Sequence, residues 1–402
     1  MAVVHDGMAA LKTLLFKIWL LFFRHIGARF MPKRASIPGA PAIRILGFHN
    51  SILGIGETAR LFLSALKAGG RQAGALTLDH RLVLAETGAN THCDLVISHL
   101  NPPELEVFSM RRAPRRLLKA AHIGYWVWEL ERIPPFWRDE RRLVDAIWTP
   151  SHFSADAIRA GLGEANVVHV IEPPIFAARS EPFDRSRLDA PDDALLALAV
   201  CDLRSTAARK NPYGAITAFM RAADRQAGRA HLIVKVVGAQ AEPSAFARLT
   251  AAVDARSDIS LYAASLSDTE MIGLISVCDI AISLHRSEGF GLLAAHAAYA
   301  GRAVVSTNWA APMEFLTTEG AELIRYRRVP VYDPQGLYPS GFEWAEPDLD
   351  QAADAIERLI SDQTYRQRLG EAAGESARNR FSATRWLARF DDLVDRAREA
   401  SG

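Results

Sequence analysis

Cysteine is scarce in this chain: Cys93, Cys201 and Cys278 are the only three among 402 residues. They lie far apart, are odd in number and lack Cys-x-x-Cys spacing. That argues against a disulfide framework and a cysteine zinc site, and a reducing cytoplasm is the expected setting. Net charge is nearly missing as well, since 47 Lys and Arg offset 46 Asp and Glu to leave +1. Nothing global draws the protein to nucleic acid, and any anion site must be local. Internal repeats and low-complexity tracts are absent, and no set of long apolar runs marks a polytopic membrane protein. What remains is 49% hydrophobic and 23% charged residues, the balance of a globular protein with a full core. The length suits two to three domains of roughly 150 residues each.

One short apolar stretch stands near the start. Residues 8–23 read MAALKTLLFKIWLLFF and are followed by Arg24, Arg29, Lys33 and Arg34. Sixteen helical residues span roughly 24 Å, short of a hydrocarbon core of roughly 30 Å. No small-x-small cleavage site follows, which argues against a secretory signal. The expectation for residues 8–34 is a helix lying in the membrane interface, with Leu and aromatics in the acyl boundary and cations toward anionic lipid. An apolar helix docked on the protein's own surface and a short spanning helix are the alternatives.

A Pro/Gly stretch at 35–41 (ASIPGAP) marks the start of the folded body. Beyond it, strands are predicted at 43–48 (IRILGF), 94–98 (DLVIS), 121–126 (AHIGYW), 146–149 (AIWT) and 167–171 (VVHVI), with a helical pattern at 57–67. A second linker spans 172–193, with Pro173, Pro174, Pro182 and Pro191 and a charge-rich stretch. The alternation then restarts, with strands predicted at 195–200, 232–237, 259–262, 280–284 and 303–306. Helical patterns over 349–361, 363–380 and 383–400 end the chain. Strands alternating with helices imply parallel sheets, so the fold class is α/β, with two doubly wound domains facing a cleft.

Three loops at strand ends carry chemistry. The segment RSTAARKNP (204–212) follows an apolar strand. Arg204 and Lys210 bracket it, and Ser205, Thr206 and the backbone amides add donors, a composition suited to a phosphate group. The segment SLHRSEGFGL (283–292) also follows a strand. Gly289 and Gly291 permit close backbone approach, and the amides of Phe290 to Leu292 point at an anion from a helix N-terminus. Glu288 would repel phosphate there, so sugar hydroxyls, which donate to a carboxylate, are its natural partners. The third loop, NSILGIGETAR (50–60), has Gly54 and Gly56 but lacks the third glycine of the dinucleotide fingerprint. Each loop taken alone also fits an ordinary turn or a solvated helix start.

Other features weigh toward structure. Tyr125, Trp126, Trp128, Phe136 and Trp137 crowd one stretch around Glu129. Packing is the first reading; sugar stacking on Trp126, with Glu129 orienting an acceptor hydroxyl, is the second. His122, His152 and His285 read as packed or capping histidines, and Glu314 lies in a strand-to-helix loop. The Asp348-Leu349-Asp350 triplet precedes a helix and reads as its cap rather than a metal motif. No His/Cys cluster has zinc spacing, and no metal is expected.

Together these segments resemble the retaining glycosyltransferases of family 4, whose architecture of two Rossmann-like domains is called GT-B. The resemblance rests on Gly54 and Gly56, the Arg204/Lys210 pair six residues apart and SEGFGL. It extends to HIGYWVWELERIP (122–134) and VDAIWTPSHFSADAI (144–158). It covers the chain from about residue 43 onward. It implies an acceptor domain over 42–178, a donor domain over 190–375, and a helix over 376–402 packing back toward the first domain, after residues 1–34. It implies that Arg204 and Lys210 neutralise the donor diphosphate and that Glu288 holds donor hydroxyls. Gly56, Ser205, Ser287, Gly289, Phe290, Gly291, Leu292 and His296 would line the donor site, with Gly54, Trp126 and Glu129 on the acceptor side.

The family pattern places a second glutamate, which binds the nucleotide ribose, eight residues after the first; here that position is His296. The implied activity is transfer of a sugar, a hexose, from a nucleotide-diphospho-sugar to a glycan or lipid-linked acceptor, with retention and without a cofactor. Nucleic acid is not an expected partner. The implied location is cytoplasmic, peripheral on the inner membrane face through residues 8–34. A sugar-nucleotide-binding protein without turnover and a nucleotide-sugar epimerase are the competing readings.

Overall fold

The computed structural model describes residues 34–401, except 53, 86–92, 111–116, 118, 164–166 and 227. The apolar and basic segment expected at the membrane interface lies outside the described residues, apart from Arg34, which pairs with Asp145 at 2.8 Å. Among the described residues no helix is long and apolar enough to cross a membrane.

The first lobe runs β1 (Ile43–Gly47), α1 (Gly54–Ala68), β2 (Ala73–Thr77), β3 (Leu95–Ser98), α2 (Pro102–Met110), β4 (Ala121–Tyr125), β5 (Ala146–Thr149), α3 (His152–Leu162) and β6 (Val168–Val170). Its strands form one parallel sheet in the order β2-β1-β3-β4-β5-β6.

The second lobe runs β7 (Leu195–Asp202), α4 (Pro212–Ala223), β8 (Ala230–Val237), α5 (Pro243–Val253), β9 (Ile259–Tyr262), α6 (Asp268–Val277), β10 (Ile280–Ser283), α7 (Leu292–Tyr299), β11 (Ala303–Thr307) and β12 (Ala321–Ile324). Its parallel sheet has the order β12-β11-β10-β7-β8-β9. The antiparallel hairpin β13 (Tyr326–Pro330) and β14 (Glu343–Pro347) follows, then α8 (Leu349–Ser361), α9 (Gln363–Arg380) and α10 (Ala383–Ser401). The expected α/β class with two doubly wound domains is the observed one.

The apolar strands dictate this layering. A strand buried on both faces reads as a continuous apolar run rather than an alternating one. On β7, Ala197 and Ala199 pack with Phe219 and Ile356 on one face, while Leu196 and Leu198 pack with Ala294 and Ala298 on the other. Helix ends are set by local chemistry. The Ser267 side chain accepts from Glu270 N–H in a capping box that starts α6. Asp348 caps α8 by accepting from Asp350 and Gln351 N–H, as the sequence predicts.

The 172–193 segment is no free linker. Ile175, Phe183 and Leu188 sink into the second-lobe core, and a Cβ on Gly273 of α6 would lie 2.3 Å from the Glu181 carbonyl. The closing helices return to the first lobe, where Trp386, Phe390 and Leu393 of α10 join Ile43, Ile45 and Phe62. Three pieces escape the sequence reading: β2, β12 and the β13–β14 hairpin. The β2 sequence AGALT is built of small residues with no apolar alternation, and it owes its strand form to pairing with β1.

Candidate functional site

In doubly wound sheets, ligands settle beyond the carboxyl ends of the strands where the strand order reverses. In the second lobe that point lies between β7 and β10, so the loops after these two strands meet there. A crevice of about 470 Å³ opens at that place, walled by both lobes.

The loop after β7 is held in an unusual shape. Thr206 and Asn211 both have positive φ, +59° and +53°, on either side of a single helical turn, Ala207–Lys210. Such backbone persists only where its surroundings over-determine it. Thr206 Oγ1 donates to Asp333 at 2.7 Å, and Asn211 Nδ2 donates to the Leu284 carbonyl at 2.9 Å. The turn thereby aims Arg209 and Lys210 at the loop after β10. Lys210 Nζ lies 2.5 Å from Glu288 Oε1, and Arg209 Nη1 lies 3.1 Å from Glu288 Oε2 and 2.9 Å from the Ser287 carbonyl. Burial alone would raise the Glu288 carboxyl; Lys210, Arg209 and His285 outweigh it and bring it down to about 2. Lys210, Glu288, Gly289, Phe290, Gly291 and Leu292 all line the crevice, as does Ser205.

Arg204 stands differently. Its guanidinium forks onto Asp202, with Nε at 3.0 Å and Nη2 at 2.8 Å, and its stem packs beneath Gly238. Asp202 lines the crevice and Arg204 does not. The buried cation of the cluster is Arg209, which sequence spacing passed over although it lies inside the same RSTAARKNP segment.

The first lobe contributes acids. Glu57, Glu104 and Glu129 face the crevice. Glu129 lies 3.9 Å from Arg209 Nη2, and burial raises its carboxyl above the ordinary range. Burial also raises Glu104, whose Oε2 is buried without a hydrogen-bond partner. Glu57 Oε1 lies 2.7 Å from His296 Nε2 across the lobe boundary. His296 is thus on the crevice wall, 5% exposed, with a first-lobe carboxylate as its partner. Glu57 lies inside the NSILGIGETAR segment without standing out from it, and no local motif marks Glu104.

The remaining candidates hold the frame. Gly54 lines the crevice beside Leu292, whereas Gly56 packs against the Phe48 and Ser51 carbonyls. Trp126 is fully buried in the first-lobe core, edge-on to Trp137, and does not reach the crevice; its ring face is used in packing. Ser287 donates to the Glu129 carbonyl. Gly291 caps α7 with φ +96°, a conformation that suits glycine. His122 bonds Ser98 Oγ at 2.8 Å, and His285 bonds the Ser283 and Trp309 carbonyls.

Glu314 spans the lobes by accepting from His152 N–H at 3.0 Å and Phe153 N–H at 2.8 Å, at the start of α3. Glu314→Ala is expected to cost about 1–2 kcal/mol, read by urea unfolding, because two first-turn N–H groups lose their acceptor.

Residues 181–376 match the family model Glycosyl transferases group 1. No curated protein matches the chain at a significant level. Among solved structures, HepE of Anabaena in complex with UDP and glucose is 13% identical with a TM-score of 0.61, over 88% of this chain and 99% of HepE. A glycosyltransferase from Rickettsia africae is 12% identical with a TM-score of 0.60, over 90% and 99% of the two chains. Sucrose-phosphate synthase from Thermosynechococcus elongatus is 15% identical with a TM-score of 0.59, over 88% and 98%. Identities this low speak for the fold, which is GT-B. The second lobe accordingly carries a glycosyl transferases group 1 match within a GT-B frame, and the two findings together support a glycosyltransferase.

Proposed function

We propose that the protein is a retaining glycosyltransferase of the family 4 type, which moves a hexose from a nucleotide-diphospho-sugar to an acceptor hydroxyl on a glycan precursor. One observation carries this reading: Lys210, Arg209 and Glu288 form a buried cluster where the second sheet reverses its strand order, inside an interlobe crevice. The cluster pairs cations for a diphosphate with a carboxylate that stays ionised.

On this reading Lys210 meets the diphosphate, joined by Arg204 once it leaves Asp202, and the amides at Phe290 to Leu292 add donors at the start of α7. Glu288 accepts from donor hydroxyls. Glu129, on the opposite wall, orients the acceptor hydroxyl. The bond from C1 to the diphosphate oxygen breaks, and the acceptor oxygen bonds C1 on the same face. The acceptor proton passes to the departing phosphate oxygen. The protein acts by positioning and by stabilising the charge that develops on the leaving group.

A second reading, binding without turnover, draws on the His296–Glu57 contact, because the family pattern has glutamate at position 296. One screen separates the two. Purified protein is offered UDP-, GDP- and ADP-sugars, and released nucleoside diphosphate is measured. Release that disappears in Lys210→Ala supports the transferase. Binding without release supports the second reading. Neither binding nor release rejects both.

A further inference from the structure

Two helix starts meet across the lobe boundary. The first turn of α1, from the first lobe, packs on the first turn of α7, from the second: a Cβ on Gly54 would lie 3.5 Å from Leu292 Cδ1. One turn further along α7, His296 Nε2 lies 2.7 Å from Glu57 Oε1. Both side chains wall the crevice, His296 buried and Glu57 half-buried. A second cross-lobe pair follows one turn along α1, where Arg60 Nη2 donates to Asp268 Oδ1 at 2.7 Å. Neither Arg60 nor Asp268 reaches the crevice.

The Glu57–His296 contact sets what each group can still do. A carboxylate has no proton to give, so Nε2 carries the N–H, and in the neutral ring Nδ1 is left with a lone pair. Neither Nδ1 nor Glu57 Oε2 has a hydrogen-bond partner among the described residues. The pair therefore presents two acceptors and no donor, a composition that repels phosphate and suits two neighbouring hydroxyls. Its place along α7 fits one such ligand. On the transferase reading the diphosphate lies at the amides of Phe290 to Leu292, with the donor hexose on Glu288 just before them. His296 comes four residues after Leu292, roughly 6 Å along the helix axis. The order hexose, diphosphate, ribose is then read off in sequence.

We propose that Glu57 is a donor-binding residue supplied by the first lobe: together with Nδ1 of His296, which it orients, it accepts the two ribose hydroxyls of the nucleotide, so the donor is held in full only across closed lobes. The assignment rests on the transferase reading for the identity of the ligand, though not for the acceptor pair.

The test pairs a residue with the hydroxyls it would bind. Calorimetry on full-length protein compares UDP, GDP or ADP, whichever binds best, with its 2′,3′-dideoxy form. In the wild type the dideoxy form is expected to bind about 10-fold more weakly. Glu57→Ala should weaken the parent nucleotide by about 10-fold and leave the dideoxy form unchanged, so the gap closes. Asp268→Asn loosens the same lobe boundary away from the crevice; it should weaken both ligands equally and keep the gap. A gap that persists in Glu57→Ala, or is missing from the wild type, overturns the assignment while nucleotide binding itself stands. If no nucleoside diphosphate binds the wild type, the assignment and the transferase reading fall together. If the gap closes as expected but no donor releases diphosphate, the assignment holds and turnover is what fails.

Discussion

Glu288→Gln is expected to reduce nucleoside diphosphate release by at least about 10²-fold and to destabilise the protein in the same step. Both effects have one source. The carboxylate sits 2.5 Å from Lys210 and 3.1 Å from Arg209. Glutamine can accept a hydrogen bond but cannot offset two positive charges, and one of these, Arg209, is 4% exposed. Removing one partner of a buried pair costs about 3–5 kcal/mol, because the other charge is left stranded.

The pH dependence identifies the cause. The Glu288 carboxyl is held at about 2, against an ordinary 4.5. Its contribution to stability, roughly 3 kcal/mol, is therefore fully present above pH 4.5 and is lost as pH falls from there toward 2. Urea midpoints measured from pH 6 to pH 2 should lose this limb in Glu288→Gln. A variant with full activity and the wild-type acid limb would remove Glu288 from the site.

The second large effect is expected at Gly289. A Cβ there would lie 2.9 Å from Val127 Cγ1 and 3.0 Å from the Trp128 carbonyl, both on the opposite lobe. The side chain can yield; the backbone carbonyl cannot. The Gly289 carbonyl also accepts from Ser151 Oγ at 2.7 Å, so the shift that relieves the clash strains a second cross-lobe contact. Overpacking of this kind costs about 1–3 kcal/mol. Here it falls on closure itself, so Gly289→Ala should raise donor KM and lower kcat together, by about 10²-fold in kcat/KM. A larger radius of gyration by small-angle scattering should accompany the loss. An unchanged radius with unchanged kinetics would show that the lobes tolerate the methyl group.

The sequence made the second lobe legible because its signals are contiguous. LLALAV is long and wholly apolar, and Lys210 and Glu288 sit in short loops directly after such strands. Residues that matter through distant contact stayed hidden. Glu57 is an ordinary first-turn acid of α1 until the fold brings it to His296, 239 positions away. Arg209 differs from its neighbour Lys210 only through the strained turn that buries it. The β13–β14 hairpin, whose Arg328 pairs with Glu131 of the first lobe, begins with YRRVP, polar residues in place of an apolar run. Trp126 is the opposite case: neighbouring rings enclose it in the packing that was its first reading, and leave no face for the sugar stacking that was its second.

The last helix also orders events in time. Trp386, Phe390, Leu393 and Val394 complete the core around Ile43, Ile45 and Phe62, and Arg398 reaches back to the Ile37 and Pro38 carbonyls. A ribosome emits the first lobe earliest, yet that lobe cannot seal its interior until α10 clears the exit tunnel. The later-made lobe, which closes on its own helices, is the one that can finish first during synthesis.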